Sequence, residues 1–426
     1  MVNADEALEL HKKYKGKIEI MPKVRASTKE DLSIFYTPGV AYVTQAIKED
    51  KEKSYVYTNR QNTIAIVTDG TRILGLGNVG PEAGMPVMEG KALLFKRLGG
   101  VDAVPLCIAT TDENEIAKFV QNIAPSFGGI NIEDIETPKA VRIVNRLTQL
   151  LDIPVFHDDQ YGTATVVAAA LLNALKLRNS KLEDVKIVIN GAGSAGYGIF
   201  KLLTVLGARQ VYVFDSQGLL YKGRKERMNE LKEEIANASP ASSPLSLTEA
   251  VKGADVLIGV STAGAFTKEM IKAMNPKPIV FALANPVPEI SYEEAKDASA
   301  YIVATGRSDT PNQVNNLLVF PGVMRGLLDC GAKKVDYELL AHVAKALAKT
   351  VGRRLSPEFI IPSVSNDRDV IKIASTVASA VVENAVKRGI AKFNLDPAYE
   401  KKNTVSILRR YLKIEKRIIG KLAPSS

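Results

Sequence analysis

The chain has 426 residues, 46% of them hydrophobic and 24% charged, with 56 Lys and Arg against 47 Asp and Glu for a net charge of +9. That length supports two or three domains with sizeable cores, the balance excludes a disordered or fibrous chain, and no apolar run reaches the roughly 18 residues of a membrane span. Cys107 and Cys330 form neither a CxxC pair nor a disulfide framework and the N-terminus lacks an export pattern, so a cytoplasmic chain with two buried thiols is expected.

Strand-like and helical patterns alternate almost throughout, which predicts an α/β fold with parallel sheets. Strands are expected at 63–68, 101–108, 129–132 and 154–157, with helices at 88–98, 113–123 and 138–151 between them and a long helix at 162–178. The loop Gly75-Leu-Gly77-Asn-Val-Gly80 has GxGxxG spacing, but Pro81, Gly84 and Pro86 follow it, so no helix is expected to start there. It reads as a loop whose glycines permit close backbone approach.

The run Val185-Lys-Ile-Val-Ile189 then leads into Asn190-Gly191-Ala192-Gly193-Ser194-Ala195-Gly196 and an apolar helix, and the strand Gln210-Val-Tyr-Val-Phe-Asp215 follows. Strand, glycine turn, helix and strand-terminal acid together make a dinucleotide-binding fingerprint. Gly191 permits the tight turn, Gly193 lets a pyrophosphate approach, and Gly196 lets the helix press on the strand, while the helix N-terminus offers free N–H groups to phosphate. Asp215 stands nineteen positions beyond Gly196, where a carboxylate can accept from the ribose hydroxyls of NAD. Strands at 256–259, 279–284 and 302–304 and helices at 337–350 and 369–388 continue the pattern. Near 400–421, apolar and basic residues recur at helical spacing, an amphipathic helix with a basic face. No base-stacking aromatics or nucleic-acid motif accompany it, so a solvated or subunit-contacting helix is the stronger reading.

Acids cluster at strand ends in the first half. Glu133 and Asp134 follow Gly129-Ile-Asn-Ile132, and Asp158 and Asp159 follow Pro154-Val-Phe-His157. The carboxyl ends of parallel strands open onto the ligand crevice, and carboxylates without thiols favour Mg²⁺ or Mn²⁺. Asp134 and Asp159 also suit helix N-caps, since each precedes a helical pattern; paired acids at two adjacent strand ends tilt the balance to metal. Lys91, beside Ala92, Leu93 and Leu94, is either solvated or partly buried with a pKa lowered towards that of a general base. Tyr36 precedes a Thr-Pro-Gly turn, and Arg72 ends Thr68-Asp-Gly-Thr-Arg72, where it can grip a carboxylate or lie on the surface. The division expected is a substrate and metal domain at 1–160, a Rossmann-type domain with trailing helices at 161–390, and a basic helical tail at 391–426.

Tyr36-Thr-Pro-Gly-Val-Ala41, Thr68-Asp-Gly-Thr-Arg-Ile-Leu-Gly-Leu-Gly77, Gly90-Lys91, Asn131-Ile-Glu-Asp-Ile135, Phe156-His-Asp-Asp-Gln160 with Gly162-Thr-Ala164, and Gly191-Ala-Gly193 stand in the order found in malic enzymes. Phe281-Ala-Leu-Ala-Asn-Pro286 and Asn315-Asn316 with Phe320-Pro-Gly322 extend the match, so the chain resembles that family from Tyr36 to Gly322. The resemblance implies metal-dependent oxidative decarboxylation of L-malate to pyruvate and CO2 with reduction of NAD(P)⁺. It also implies at least a homodimer, while the lack of a nucleic-acid motif and of a membrane-length apolar run predicts neither nucleic acid nor membrane as a partner. Glu133, Asp134 and Asp159 are then the metal ligands, Lys91 takes the proton of the 2-hydroxyl with Asp158 in support, and Tyr36 protonates the enolpyruvate carbon. Arg72, Lys91, Asn285, Asn315 and Asn316 hold the substrate, with Asn285 also beside the cofactor. Asp215 favours NAD, while Ser216, Gln217 or Lys222 leaves room for NADP. A malolactic enzyme, which retains NADH and releases lactate, shares this constellation; a non-catalytic dinucleotide sensor needs only the fingerprint. Tyr161 stands where small members usually carry His.

Overall fold

The computed structural model describes residues 3–422 apart from Leu74. A four-stranded sheet in the order β2–β1–β3–β4 comprises β1 (Thr63–Thr68), β2 (Asp102–Cys107), β3 (Gly129–Ile132) and β4 (Val155–His157), all paired in parallel. A six-stranded sheet follows in the order β10–β9–β8–β5–β6–β7. Its members are β5 (Lys186–Asn190), β6 (Gln210–Asp215), β7 (Gly218–Leu219), β8 (Val256–Gly259), β9 (Ile279–Ala282) and β10 (Ile302–Thr305). Only the two-residue edge strand β7 runs antiparallel. Strands β1, β3, β8, β9 and β10 are buried at every position, as sheets covered on both faces require. Strand order reverses between β5 and β8, the switch point where such sheets open a ligand crevice.

The helix after the first glycine loop runs Pro81–Gly99, so it starts at once rather than near residue 88. Pro81 occupies the first helical turn, where the N–H that proline lacks has no helical acceptor to lose. The loop does serve close approach. A Cβ on Gly75 would lie 3.1 Å from the Asn285 carbonyl, so a loop of the first sheet rests on one of the second.

Helices Phe320–Cys330 and Asp367–Lys387 pack through Gly322 and Gly326; a Cβ on Gly326 would lie 2.6 Å from the Ala378 carbonyl. The former also presses on the first sheet's layer, where a Cβ on Gly99 would meet the Pro321 carbonyl at 2.6 Å. The amphipathic reading of the C-terminus corresponds to helix Pro397–Leu422, with Leu408 and Leu412 buried and Arg409, Arg410 and Lys413 exposed. At its start Glu400 is fully buried, and burial with the nearby Asp329 pushes its carboxyl up to about 8. Cys330 is buried as expected, but Cys107 is only half-buried at the sheet edge. Among the described residues no helix is long and apolar enough to cross a membrane.

The N-terminal helices differ from all of this. Ala4–Tyr14, Lys29–Phe35 and Gly39–Glu49 bury no residue. Among the described residues, every hydrogen bond made by 25–49 stays within 25–50.

Candidate active site

Loops at the carboxyl ends of β3 and β4 bring Glu133, Asp134 and Asp159 together, with carboxylate oxygens all within 4.8 Å of one another. Neither aspartate caps a helix. Asp134 sits in the left-handed region at φ 51°, the next helix begins after Pro138, and Asp159 lies inside the π-helical turn Asp158–Gly162. The capping alternative therefore falls. Asp134 N donates to Asp159 Oδ2 at 3.0 Å, and Asn131 Nδ2 donates to Glu133 Oε2 at 2.7 Å. Burial, then the neighbouring carboxylates, raise Glu133 well above the usual range; burial and Asp159 push Asp134 up to about 7. Three crowded carboxylates without a thiol are the donor set of a hard divalent cation, whose charge would relieve this repulsion. His157 stands behind them, with Nε2 3.6 Å from Asp159 Oδ2 and Nδ1 3.1 Å from Gln160 Oε1. Gln160 Nε2 in turn donates to the Tyr337 hydroxyl at 2.5 Å.

Lys91 is buried on the helix Pro81–Gly99, its ammonium 2.5 Å from Asp158 Oδ2 and 2.7 Å from Glu133 Oε1, over the ring of Phe320 at 4.3 Å. The expectation of a lowered pKa is overturned. Burial does lower it, but the Asp158 and Glu133 charges outweigh burial and hold the ammonium above an ordinary lysine. Asn316 Nδ2 donates to Asp158 Oδ2 at 2.6 Å and so binds the two sheets' loops together. Gly162 has no substitute in this turn, because a Cβ there would lie 1.8 Å from Asp158 Oδ1.

Arg72 is exposed, and its backbone N–H donates to the Asp134 carbonyl at 3.0 Å. Asn285 is exposed against Gly306, and the Asn315 side chain accepts from Leu317 N at 3.0 Å. Tyr36 stands apart: it is 71% exposed on the N-terminal helices, and among the described residues its hydroxyl makes no hydrogen bond. Tyr161 turns away from the acids into an aromatic cluster, 5.7 Å from both Phe156 and Tyr337, where burial pushes it up to about 12.

The dinucleotide turn has the geometry its glycines imply. Gly191 is at φ +122°, with Val260 O 2.4 Å from where a Cβ would be, and a Cβ on Gly196 would lie 1.8 Å from the Gly191 carbonyl. A Cβ on Gly193 would meet nothing within 4 Å, so the protein's own packing does not demand glycine there, whereas close approach of a pyrophosphate does. Ala192 and Ser194 are buried and Ala195 is half-buried. Ser194 opens the helix Ser194–Leu206, and its N–H donates to Thr137 Oγ1 at 3.1 Å, a contact from the first sheet's loops that no motif announced. Asp215 is not a free ribose acceptor. Arg224 Nη2 lies 2.9 Å from both its oxygens, Lys232 Nζ donates at 2.7 Å and Gln217 N at 2.8 Å. Burial would raise this carboxyl, but these donors hold it below the usual range and offset its charge.

A switch-point glycine turn tied through Thr137 to the sheet that carries a buried lysine and a carboxylate cluster defines a dinucleotide-binding oxidoreductase. The family model for the malic enzyme NAD binding domain matches residues 160–386, and that for the malic enzyme N-terminal domain matches 15–118. The chain belongs to the malic enzyme family. It is 48% identical over 395 residues to the bifunctional malic/malolactic enzyme of Bacillus subtilis, covering 92% of this chain and 95% of that one. It is 44% identical over 417 residues to a probable NADP-dependent malic enzyme of Rickettsia prowazekii, where 93% of this chain spans 54% of the relative. The crystal structure of malic enzyme from Pyrococcus horikoshii matches at a TM-score of 0.93 and 44% identity, over 98% of each chain.

Proposed function

We propose that the protein catalyses metal-dependent oxidative decarboxylation of L-malate to pyruvate and CO2 with reduction of NAD(P)⁺. The observation that carries this is Lys91 clamped between Asp158 and Glu133 in the acid cluster, where loops of the two sheets meet. Glu133, Asp134 and Asp159 would hold Mg²⁺ or Mn²⁺, which when bound polarises the substrate's 2-oxygen and stabilises the charge that loss of CO2 leaves behind. Lys91 as found is a charged donor that orients an oxygen. Glu133 belongs to both sets, so a cation that engages it weakens the lysine's hold on its charge; the ammonium then releases a proton to solvent, and the neutral amine accepts the hydroxyl proton. Asp158, held by Asn316, keeps the lysine in place. Arg72, Asn285 and Asn315 lie on the surrounding loops and supply donors for the carboxylates of a dicarboxylic acid. NAD is the cofactor of this reading. NADP is accommodated because Arg224 and Lys232 offset the Asp215 charge that would repel a 2′-phosphate. The free thiols Cys107 and Cys330 suit a reducing cytoplasm.

Tyr36 serves as the acid of this scheme once its helices are covered. Leu32, Ile34, Phe35 and Tyr42 are exposed beside it, an apolar surface of the kind that marks an interaction site, and a second copy of the chain is the partner assigned here. Phe35→Asp is expected to move the mass by light scattering from at least dimer towards monomer and to lower turnover; an unchanged mass removes these helices from the interface. The reaction itself is tested by absorbance at the NADH band with L-malate, Mn²⁺ and either cofactor, with pyruvate and lactate then assayed. Reduced cofactor matched by pyruvate and abolished by a chelator is expected. Lactate without free NADH identifies the malolactic reaction instead, and neither product overturns the assignment.

A further inference from the structure

A second buried ion pair, Asp69 with Lys139, takes no part in the scheme above. Lys139 opens the helix Lys139–Leu150 and is 6% exposed; Asp69, in the turn after β1, is 1% exposed. Lys139 Nζ donates to Asp69 Oδ2 at 2.7 Å and to the Thr111 carbonyl at 3.1 Å, with Glu136 3.3 Å away. Asp69 Oδ1 accepts from the Thr71 backbone N–H at 3.0 Å and from its hydroxyl at 2.6 Å. That hydroxyl oxygen accepts from Glu136 N at 3.0 Å, and the next residue, Arg72, donates its N–H to the Asp134 carbonyl at 3.0 Å. Three separate links thus join the turn that presents Arg72 to the turn that presents Glu133 and Asp134.

Stability does not account for a lysine at this point. A cation at a helix N-terminus opposes the helix dipole. Removing two charges from water costs several kcal/mol per ion, and apolar pairs of similar volume are often as stable. The pair's distinctive effect is geometric. Resting on the malic-enzyme reading above, we propose that Asp69 and Lys139 are positioning residues that hold the Arg72 turn in register with the Asp134 turn. Substrate-carboxylate binding and cation binding then depend on one brace.

The test uses the full chain, beginning with wild-type turnover of malate so that failure of the functional reading shows itself first. The double variant Asp69→Asn/Lys139→Met leaves no buried charge unpaired. Its thermal midpoint, malate KM, kcat and NAD⁺ KM are measured, together with Mn²⁺ binding by electron paramagnetic resonance without substrate. A midpoint near wild type, an unchanged NAD⁺ KM, and a malate KM and Mn²⁺ Kd each raised about tenfold are expected, the range for groups that orient a site from behind it. Lys139→Arg keeps the ion pair and is expected to return both constants to near wild type. Thr71→Val, which deletes only the hydroxyl joining the turns, is expected to raise both constants and carries the test if the double variant does not fold. A lowered midpoint with malate KM and Mn²⁺ affinity unchanged would make the pair merely structural and overturn the proposal.

Discussion

Lys91→Ala lowers kcat by about a thousandfold while NAD⁺ affinity stays near wild type, within the range for a positioned proton-transfer group. The expectation follows from where the lysine's partners lie. Its ammonium is the one cation within ion-pair distance of Asp158 and Glu133 among the described residues, so its loss leaves two buried carboxylates without a counter-charge. Both are already raised by burial, and both rise further once Lys91 is gone. The glycine turn Gly191–Gly196 belongs to the other sheet, and among the described residues it makes no hydrogen bond to Lys91. Quenching titrations with NADH therefore separate lost chemistry from a lost site, and a variant that keeps most of its turnover removes Lys91 from the reaction.

Asp134→Asn is expected to lower turnover by about a hundredfold or more, as metal ligands matter at least as much as the groups behind them. It is also expected to leave the metal-free protein at least as stable as wild type. Asparagine tolerates the left-handed backbone at this position nearly as well as aspartate, and the change removes one charge from a cluster that repels itself. The pH dependence has a definite sign. A carboxyl raised to about 7 in the fold, against an ordinary value near 4, favours the folded state below its unfolded pKa and withdraws that stability as pH climbs through 7. Wild-type protein in chelator should thus lose stability between about pH 4 and 7, and Mn²⁺ should restore it. Thermal scans with and without Mn²⁺ decide the matter: a variant stabilised by Mn²⁺ as strongly as wild type takes Asp134 out of the ligand set.

Strands β1, β3 and β6 fall where the sequence places them, and in β1 burial on both faces writes itself as a nearly unbroken apolar run. The start at Pro81 was hidden, since prolines read as breakers although the first helical turn admits them. Burial of Lys91 was one of two readings its neighbours left open, and the sign of its shift was not legible at all. That sign depends on two carboxylates, one of them 67 positions away, and charge–charge terms follow distance in space rather than spacing in sequence. Asp215 repeats the lesson, its acceptor capacity filled by Arg224 and Lys232, which no fingerprint positions. That Asp134 does not cap a helix is written only in its left-handed backbone and in a helix that begins after Pro138. Thr137 and Lys139 carry no local signal at all; each matters only through what the fold sets beside it.

The turn Asp158–Gly162 also opens the link by which the polypeptide leaves the four-stranded sheet for the six-stranded one, a link that the helix Thr163–Arg178 continues, so the residues that present Asp158 and Asp159 stand at one end of the covalent joint between the two halves. Any swing of one half against the other must be absorbed in this short strip or in the helix ends beside it. By linkage, whatever a narrowed posture adds to the grip on a cation, the cation returns to that posture in equal measure. If Glu133, Asp134 and Asp159 hold a cation as proposed, loading that pocket and setting the angle of the joint are a single equilibrium.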